Sequence, residues 1–309
     1  MEKISVVTPC FNEKDNVEAL YRQVKEIFKA LGTYEYEHLF IDNASTDGTQ
    51  DVLRKMAAAD RNVKVVLNTR NFGHIRSPFY ALTQAEGDAV ILLVADFQDP
   101  PALITDFVRQ WEAGYRVVLG IKTNSGESRF MFSVRKLYYD FVDKLAEVKT
   151  NKNNTGFGLY DKEVISQLRK LDEPYPFFRG LIAELGYEAA RVEYFQPARR
   201  RGITKNNFYT LYDIGMLGII SHSKVPLRLA IFIGAFFAML NLIVALGYLV
   251  YKLVYWDSFY LGIAPVVIGL FLFASVQLIF LGVIGEYIGA IYTRTLKRPL
   301  VIEKERINF

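Results

Sequence analysis

Short apolar runs alternate with amphipathic segments through the N-terminal part of the chain. Runs rich in β-branched and other apolar residues predict strands at residues 4–7, 38–41, 63–67, 89–94 and 116–121. Apolar residues at three- and four-residue spacing predict helices at residues 17–31, 49–59, 75–85, 102–113 and 129–148. Because strands that alternate with helices form parallel sheets covered by helices, we predict an α/β fold with a mostly parallel sheet.

The pattern changes after residue 225, where long apolar stretches replace the alternation. Residues 229–251 and 258–285 contain no charged side chain. Each stretch exceeds the roughly 20 apolar residues that cross a bilayer, so the sequence predicts two membrane-spanning helices joined by a loop at residues 252–257. The alternative is a buried helical hairpin in a soluble domain, although helices that are apolar on every side rarely find enough protein to cover them.

Basic residues flank this apolar region on both sides. They are Arg199, Arg200, Arg201, Lys205, Lys224 and Arg228 before it, and Arg294, Lys297 and Arg298 after it. By the positive-inside rule, we predict a multi-pass protein of the cytoplasmic membrane with both termini in the cytoplasm. The N-terminal segment lacks the apolar core of a signal peptide, so we do not expect secretion.

Composition adds two constraints. A net charge of +4 gives no indication of nucleic-acid binding. The single cysteine, Cys10, excludes an internal disulfide and fits a reducing compartment. A small buried strand residue is favoured over a reactive thiol at this position.

Each predicted strand ends in a polar turn, and parallel strands bring such turns to one edge of the sheet. The turns read TPCFNE, DNASTDGT and NTRNFGHIR after the first three strands. Asp42 directly follows the second strand, where an acidic side chain can accept hydrogen bonds from a ribose or a base edge. The turns therefore predict nucleotide binding. For Asp47 an alternative stays open, because STDGT is equally consistent with a helix cap.

The octet VADFQDPP follows the apolar run AVILL and is the most informative of these turns. Asp96, Gln98 and Asp99 place three oxygen-bearing side chains within four residues. Such hard oxygen ligands suit Mg²⁺ or Mn²⁺ holding a diphosphate. A solvated acidic turn that caps the next helix is the alternative.

Taken in order, TPCFNE, DNASTDGT, RNFG and ADFQDPP resemble the motifs of family 2 glycosyltransferases of GT-A fold, a Rossmann-like α/β architecture. With two C-terminal spans, the chain resembles the polyprenyl-phosphate glycosyltransferases, which include dolichol-phosphate mannose synthases and bacterial undecaprenyl-phosphate sugar transferases. The resemblance covers nearly the whole chain. It implies an inverting enzyme that moves a sugar from a UDP-sugar, or a GDP-sugar, to undecaprenyl or another polyprenyl phosphate. It also implies Mg²⁺ or Mn²⁺ as cofactor and a homo-oligomer, which in some relatives is a tetramer.

The resemblance also implies roles for individual residues. The nucleotide-sugar would contact Pro9, Phe11, Glu13, Asp42, Asn71, Gly73, Arg76 and Asp96. A metal ion would bind Asp96 and Gln98, and the catalytic set would comprise Asp96, Asp99, Arg199 and Lys205. The loop RRRGITKN, with Arg199, Arg200, Arg201 and Lys205, would hold the acceptor phosphate. A generic juxtamembrane anchor explains the same charges.

Three positions depart from the family pattern. Val94 stands where many relatives carry the first Asp of DAD, Asn43 replaces the second Asp of a DD pair, and Gly156 falls where many carry an Asp proposed as catalytic base. A lipid monophosphate is already an anion near neutral pH, so its attack on a sugar carbon needs little help from a base. Asp161 is a nearby carboxylate, but a helix N-cap is its favoured role.

Two other functions stay open at this point. One is a family 2 transferase that acts on a lipid or glycan hydroxyl, although the sequence lacks the QxxRW motif and the further spans of processive synthases. The other is a non-catalytic membrane scaffold with a degenerate transferase domain, which Val94 and Gly156 keep open. The segment PYPFFRG, with Arg179, reads either as a lid over the sugar or as packing of a helix on the sheet.

We therefore divide the chain into four parts. Residues 1–197 form a cytoplasmic GT-A domain, residues 198–225 a basic acceptor loop with a juxtamembrane amphipathic helix, residues 226–290 two transmembrane helices, and residues 291–309 a cytoplasmic tail. The expected partners are a nucleotide-sugar donor, a polyprenyl phosphate acceptor and the lipid bilayer.

Overall fold

The alternating apolar runs form one sheet in the computed structural model, which describes residues 2–124, 154–196, 225–255, 263–296 and 298–309. Its strands are β1 (Lys3–Cys10), β2 (Glu35–Asp42), β3 (Val63–Asn68), β4 (Ala89–Leu92), β5 (Val117–Asn124), β6 (Asn154–Asp161), β7 (Ala189–Phe195) and β8 (Glu303–Ile307). Their spatial order is β7-β5-β6-β4-β1-β2-β3-β8. The predicted helix at residues 129–148, the basic loop with Arg199, Arg200, Arg201 and Lys205, and the juxtamembrane helix lie outside the described residues.

All five predicted strands are present, but the prediction of a mostly parallel sheet needs correction. The described strands make four parallel and three antiparallel pairings. The antiparallel pairings involve β6 and β8, which were not predicted. Glycines interrupt β6, and four of the five residues of β8 are charged, as is common on edge strands. Neither strand therefore shows the apolar run that marks β1 to β4.

Helices cover both faces of the sheet. They are α1 (Lys14–Leu31), α2 (Thr49–Ala59), α3 (Gly73–Gln84), α4 (Ile104–Glu112), α5 (Lys162–Lys170) and α6 (Phe178–Glu184), with a 3-10 turn at Pro101–Leu103 before α4. The first core layer joins α1, α2 and α4 to one sheet face, and the second joins α3, α5 and α6 to the other. Adjacent β1 residues show this alternation, since Val6 lies in the first layer and Val7 in the second.

Two long helices follow: α7 (Val225–Val254) and α8 (Ile263–Thr295). Many of their described apolar side chains are exposed, among them Phe232 on α7 and Leu278 on α8. Within the described residues, one segment has the length and composition to cross a membrane, the 22 residues Leu272–Thr293 of α8. The structure thus contains one candidate span where the sequence predicts two.

The C-terminal tail is part of the sheet. β8 pairs antiparallel with β3 and forms the edge of the sheet. Arg54 of α2 pairs with Glu305 at 2.8 Å, and the Tyr80 hydroxyl of α3 donates to Glu303 at 2.8 Å. Asn308 Nδ2 donates to backbone carbonyl oxygens, including that of Val63 at 2.9 Å. The segment after α8 is therefore tied to the same domain as the segment before α7.

Candidate active site at the carboxyl edge of the sheet

The predicted turns meet at one edge of the sheet because β1 lies between β2 and β4 and runs parallel to both. The chain leaves β1 toward β2 on one side and β4 lies on the other, so a crevice opens at the carboxyl ends of β1 and β4. Ligands bind at such a switch point in open α/β sheets. Antiparallel β6 begins at the same edge, since Leu92 of β4 pairs with Gly158.

Three residues in these turns adopt left-handed backbone conformations. Asn12, Ala44 and Phe97 have φ angles of 59°, 61° and 58°, and they follow β1, β2 and β4. Such angles cost a residue with a side chain roughly 1–3 kcal/mol and are concentrated at functional sites. The strain indicates that the surrounding structure holds this edge in a defined shape.

Asp42 ends β2 as a buried carboxylate with one oxygen satisfied. Its Oδ2 accepts from the backbone N–H of Ser45 at 2.9 Å and from Gln50 Nε2 at 2.7 Å. Its Oδ1 is buried and has no hydrogen-bond partner in the described part of the chain. A buried acceptor without a partner is costly. Asp42 can therefore accept a hydrogen bond from a ligand, as the nucleotide prediction requires.

Asn43 has a structural role that an aspartate could not fill. Its Nδ2 donates to Asn71 Oδ1 at 2.9 Å and to the carbonyl oxygen of Gly73 at 3.1 Å. Its Oδ1 accepts from the backbone N–H of Phe72 at 2.8 Å and from Asn68. The amide thus joins the turn after β2 to the turn after β3, and a carboxylate would lose both donor contacts.

The other residues predicted to contact the nucleotide-sugar have different positions and partners. Pro9 is the penultimate residue of β1 and Phe11 directly follows the strand, at its carboxyl end. Glu13 Oε2 accepts from Asn16 Nδ2 at 2.5 Å, so its carboxylate also serves the first turn of α1. Asn71 Oδ1 accepts from the backbone N–H of Gly73 at 2.8 Å, within its own turn. Arg76 Nη2 donates to the carbonyl oxygen of Pro299, which draws this side chain toward the C-terminal tail.

Asp47 and Asp161, for which the sequence left two roles open, both have structural roles. Asp47 accepts from the backbone N–H of Thr49 at 3.0 Å and of Lys14 at 3.2 Å. Burial alone would raise the pKa of Asp47, but these hydrogen bonds lower it. Asp161 caps α5 by accepting from the backbone N–H of Glu163 at 2.8 Å, and it pairs in register with Ala89 at the start of β4. It therefore lies at the edge of the sheet opposite the crevice.

Asp96 and Asp99 follow β4 and are buried, with exposures of 7% and 3%. This burial contradicts the alternative of a solvated turn, and no side chain caps the Pro101–Leu103 turn or α4. Asp96 Oδ1 accepts from the backbone N–H of Gln98 at 3.1 Å. Asp99 Oδ1 accepts from the Tyr194 hydroxyl at 2.7 Å. The turn thus directs two carboxylates into the protein instead of into solvent.

The charge of Asp99 is only partly compensated. Burial raises its pKa to about 6, the hydrogen bond from Tyr194 opposes this rise, and the neighbouring Asp96 adds to it. Lys122 of β5 lies close enough to lower this pKa. Two neighbouring buried carboxylates repel each other, so a cation between them and an anionic ligand would be favourable.

Residues of the last strands complete the site, and the sequence did not indicate them. Tyr194 comes from β7 and Lys122 from β5, which are parallel neighbours. Arg179 of α6 donates to the carbonyl oxygen of Asn154 at 3.1 Å, and its guanidinium carbon lies 5.2 Å from the Phe177 ring centroid. Of the two roles expected for the segment with Arg179, packing of a helix on the sheet is observed, because Leu181 and Ile182 belong to the second core layer.

Gly156 leaves the site without the aspartate that many relatives carry. Its φ angle is +96°, and a Cβ atom built there would lie 3.6 Å from both Leu92 Cδ2 and Phe178 Cδ1. A side chain at this position would be strained by the backbone conformation. With no carboxylate at position 156, the carboxylates that follow β4 most closely in the described sequence are Asp96 and Asp99.

The oxygen ligands predicted for a metal are present but do not form a complete shell by themselves. Within the described residues, no group of three or more His, Cys, Asp or Glu side chains could hold a metal ion. The carboxylates of Asp96 and Asp99 and the side-chain carbonyl of Gln98 would all bind a metal through oxygen. Mg²⁺ is commonly held by one or two carboxylates, with substrate phosphates completing the shell. These oxygen ligands fit a metal ion that binds together with a diphosphate.

Sequence comparison decides the family. The sequence model described as glycosyl transferase family 2 matches residues 5–169. The chain belongs to glycosyl transferase family 2. The bactoprenol glucosyl transferase of Shigella phage SfII is 34% identical to this family 2 chain over 304 residues, which cover 98% of each protein. The putative glycosyltransferase CsbB of Bacillus subtilis is 33% identical over 302 residues, 98% of this chain and 91% of that protein.

Among solved structures, glucosyl-3-phosphoglycerate synthase from Mycobacterium tuberculosis, crystallised with Mn²⁺, UDP and phosphoglyceric acid, has a TM-score of 0.49 and 19% identity. The similarity covers 71% of this chain and 76% of that one. The predicted family membership is confirmed by the family match and by the full-length relatives.

Proposed function

We propose that this family 2 glycosyltransferase moves a sugar from a UDP-sugar to undecaprenyl or another polyprenyl phosphate at the cytoplasmic face of the membrane. A GDP-sugar is the alternative donor. The observation that carries the proposal is the buried pair Asp96 and Asp99 after β4, at the same carboxyl edge of the sheet as the unpartnered Oδ1 of Asp42 after β2. The acceptor follows from the relatives named bactoprenol glucosyl transferases, which match over nearly the full length.

The donor would lie across the carboxyl ends of β1, β2 and β4. Asp42 Oδ1 is placed for an N–H or O–H of the nucleoside, and the diphosphate would lie toward Asp96 and Asp99. Because two carboxylates repel a diphosphate, a divalent cation is needed between them. A bound Mg²⁺ or Mn²⁺ would stabilise the negative charge that develops on the departing diphosphate.

The transfer needs one bond to form and one to break. A phosphate oxygen of the acceptor attacks the anomeric carbon, the bond from that carbon to the diphosphate oxygen breaks, and its electron pair leaves with the nucleotide diphosphate. Attack from the opposite side inverts the configuration at the sugar. Since the acceptor oxygen already carries negative charge, no proton must be removed, and the absence of a carboxylate at Gly156 is compatible with turnover.

The position of β8 in the sheet supports two membrane crossings, and we propose that both termini lie in the cytoplasm. The sheet contains β7 before the helical region and β8 after it, so both ends of that region belong to one domain. A chain that leaves and returns on one side of a bilayer crosses it an even number of times. If Leu272–Thr293 spans the membrane, α7 would supply the second crossing. Its 30 residues extend about 45 Å, enough for a hydrocarbon core of about 30 Å.

The site residues outside the described ranges remain part of the proposal. Arg199, Arg200, Arg201 and Lys205 would hold the acceptor phosphate just before α7, where the lipid phosphate emerges from the bilayer. Assembly into a tetramer also remains a prediction, and light scattering of the purified protein in detergent would test it.

An end-point assay tests the proposed function. Purified full-length protein in detergent is incubated with undecaprenyl phosphate and a panel of UDP- and GDP-sugars, with Mg²⁺, with Mn²⁺ or with a chelator. Released nucleotide and lipid-linked sugar are both measured. The proposal requires one sugar to appear on the lipid, and only with metal. Nucleotide release without glycolipid would favour a hydroxyl acceptor, and no reaction across the panel would favour the non-catalytic scaffold.

A further inference from the structure

Three arginines from two distant segments meet beside the carboxyl edge of the sheet. Arg70 lies in the turn after β3, Arg76 in the first turns of α3, and Arg298 between α8 and β8. Burial and the nearby Arg70 and Arg298 guanidinium groups lower the pKa of Arg76. Two of them contact the Phe72 ring, whose centroid lies 4.1 Å from the guanidinium carbon of Arg70 and 5.7 Å from that of Arg76. We call these three residues the arginine cluster.

The described part of the chain provides no carboxylate for this cluster. Arg76 donates to the carbonyl oxygen of Pro299 and Arg70 to that of Asn71, and both acceptors are neutral. Arg76 Nε is buried without a hydrogen-bond partner in the described residues. Nearby arginines differ, because Arg54 pairs with Glu305 and Arg306 with Glu303.

Other groups near the cluster do not neutralise it. The pKa of His74 in α3 is lowered by burial and further by Arg179, so a fourth guanidinium lies close to the N-terminus of this helix. Among the described residues, Tyr175 is the group whose charge would raise the pKa of Arg76. Mutual repulsion among guanidinium groups costs free energy, and an anion bound between them would recover it. The cluster therefore has the electrostatics of an anion site.

The position of Arg298 indicates the source of the anion. α8 ends at Thr295, three residues before Arg298. If α8 crosses the bilayer, as the proposed function requires, Arg298 lies at the boundary between membrane and cytoplasm. Anions at that depth are the phosphates of lipids. Arg76 and Pro299 then connect the catalytic domain directly to the membrane exit of α8.

We propose that the arginine cluster binds the phosphate of a membrane lipid and so holds the catalytic edge of the sheet against the bilayer. Guanidinium groups bind phosphate oxygens through paired, charge-assisted hydrogen bonds, which suits a cluster of three arginines better than one of lysines. Two lipids offer this chemistry, an anionic phospholipid and the polyprenyl phosphate acceptor. The inference rests on the proposed membrane topology but not on any step of sugar transfer.

The test uses a double variant and a control of equal charge. Arg70→Gln with Arg298→Gln removes two cluster charges and leaves Arg76 in place. Arg22→Gln with Arg109→Gln removes two exposed charges from α1 and α4, on the opposite face of the sheet. Full-length proteins in neutral detergent are titrated separately with phosphatidylglycerol and with undecaprenyl phosphate. Bound lipid is counted by native mass spectrometry, and circular dichroism checks the fold.

Wild type and the control pair should bind lipid with equal affinity, and the cluster variant about 30-fold more weakly, from roughly 1 kcal/mol per arginine. Selective loss of phosphatidylglycerol binding would identify a phospholipid site, and selective loss of undecaprenyl phosphate binding an acceptor site. Equal binding of both lipids by all three proteins overturns the inference. If the double variant is unfolded, Arg298→Gln alone should weaken binding about fivefold, and unchanged binding there overturns it equally. Lipid binding without sugar transfer would instead contradict the proposed function alone.

Discussion

Buried carboxylates lie near both edges of this sheet, and their surroundings differ. Near the amino edge, Glu37 is bonded to Lys3, to Lys64 at 3.0 Å and to the Ser5 hydroxyl at 2.6 Å. Burial alone would raise the pKa of Glu37, but these bonds and the Glu86 backbone N–H lower it to about 2. At the carboxyl edge, burial raises the pKa of Asp99 to about 6.

This difference separates stability from function within one fold. At the amino edge the chain supplies its own cations, so the charge of Glu37 stabilises the folded state. At the carboxyl edge, Asp96 and Asp99 lie together, Asp42 keeps an unpartnered oxygen, and three residues have strained φ angles. A buried acceptor without a partner, adjacent carboxylates and backbone strain are expected where a ligand completes the structure. Four substitutions test the comparison, from the largest expected effect to the smallest.

Asp96→Asn should reduce sugar transfer by about 10³-fold, because the metal and diphosphate would lose a charged ligand. The folded state should be no less stable, since the change removes repulsion between buried carboxylates. Initial rates of nucleotide release and thermal unfolding in detergent measure the two effects. Asp106→Asn on the exposed side of α4 is the control and should leave the rate unchanged. A rate for Asp96→Asn within tenfold of wild type would contradict the assignment.

Glu37→Gln should lower the free energy of unfolding by about 3 kcal/mol at neutral pH and leave the transfer rate unchanged, because its partners lower the folded-state pKa of Glu37 to about 2. A carboxylate with a lower pKa in the folded state stabilises the fold only while it is ionised. The stabilisation is complete above the unfolded pKa of about 4.5 and is lost as the pH falls toward about 2. Wild-type stability should therefore fall over this window, and that of the variant should fall less.

Chemical unfolding followed by circular dichroism between pH 2 and 7 measures this effect. Glu86→Gln is the matched control, because that side chain is exposed and, among the described residues, pairs with Lys64 alone. Parallel stability curves for wild type and Glu37→Gln would show that the amino edge is not stabilised by this charge.

Gly156→Asp tests whether the missing carboxylate can be restored. The left-handed backbone and the contacts with Leu92 and Phe178 should cost the folded state about 1–3 kcal/mol without increasing transfer. Gly114→Asp is the control that measures the cost of the left-handed backbone alone, because Gly114 has φ +100° and no atom within 4 Å of its Cβ position. Unfolding midpoints and transfer rates are compared for both. A faster Gly156→Asp enzyme would mean that the reaction lacks a base that it needs.

Tyr194→Phe removes the hydroxyl that donates to Asp99 at 2.7 Å. Transfer should fall about tenfold, the effect of one hydrogen bond that orients a catalytic carboxylate. Tyr187→Phe is the control, since its hydroxyl lies 3.2 Å from Glu163 in α5, away from the crevice. Equal rates for both variants would exclude Tyr194 from the site.

The sequence indicated the strands that contain a run of apolar residues, and it missed β6, β7 and β8, which lack one. The predicted parts of β1 to β4 are mostly apolar, as expected for parallel strands in the middle of a sheet. β8 is highly charged, and its place beside β3 depends on contacts such as Arg54 with Glu305, 251 residues apart. Local patterns carry no information about pairings of that kind.

The same limit applies to the site. Asp42 could be named because it directly follows a predicted strand, and Asp96 and Asp99 because they lie in the turn after another. Tyr194 could not, since its bond to Asp99 depends on β7 lying beside β5, an alignment fixed by the whole sheet. The role of Asn43 was likewise hidden, because its partners come from the next turn. Asp161 was assigned correctly as a cap, for which a local pattern is sufficient.

The most direct test of the central claim measures transfer and stability together in Asp96→Asn and Glu37→Gln. Both proteins are assayed at neutral pH with the active nucleotide-sugar, undecaprenyl phosphate and Mg²⁺, and both are unfolded with denaturant. The account predicts that Asp96→Asn keeps its fold and loses glycolipid formation, whereas Glu37→Gln loses stability and keeps its rate. An Asp96→Asn protein that forms glycolipid at the wild-type rate would contradict the assignment of function to the carboxyl edge.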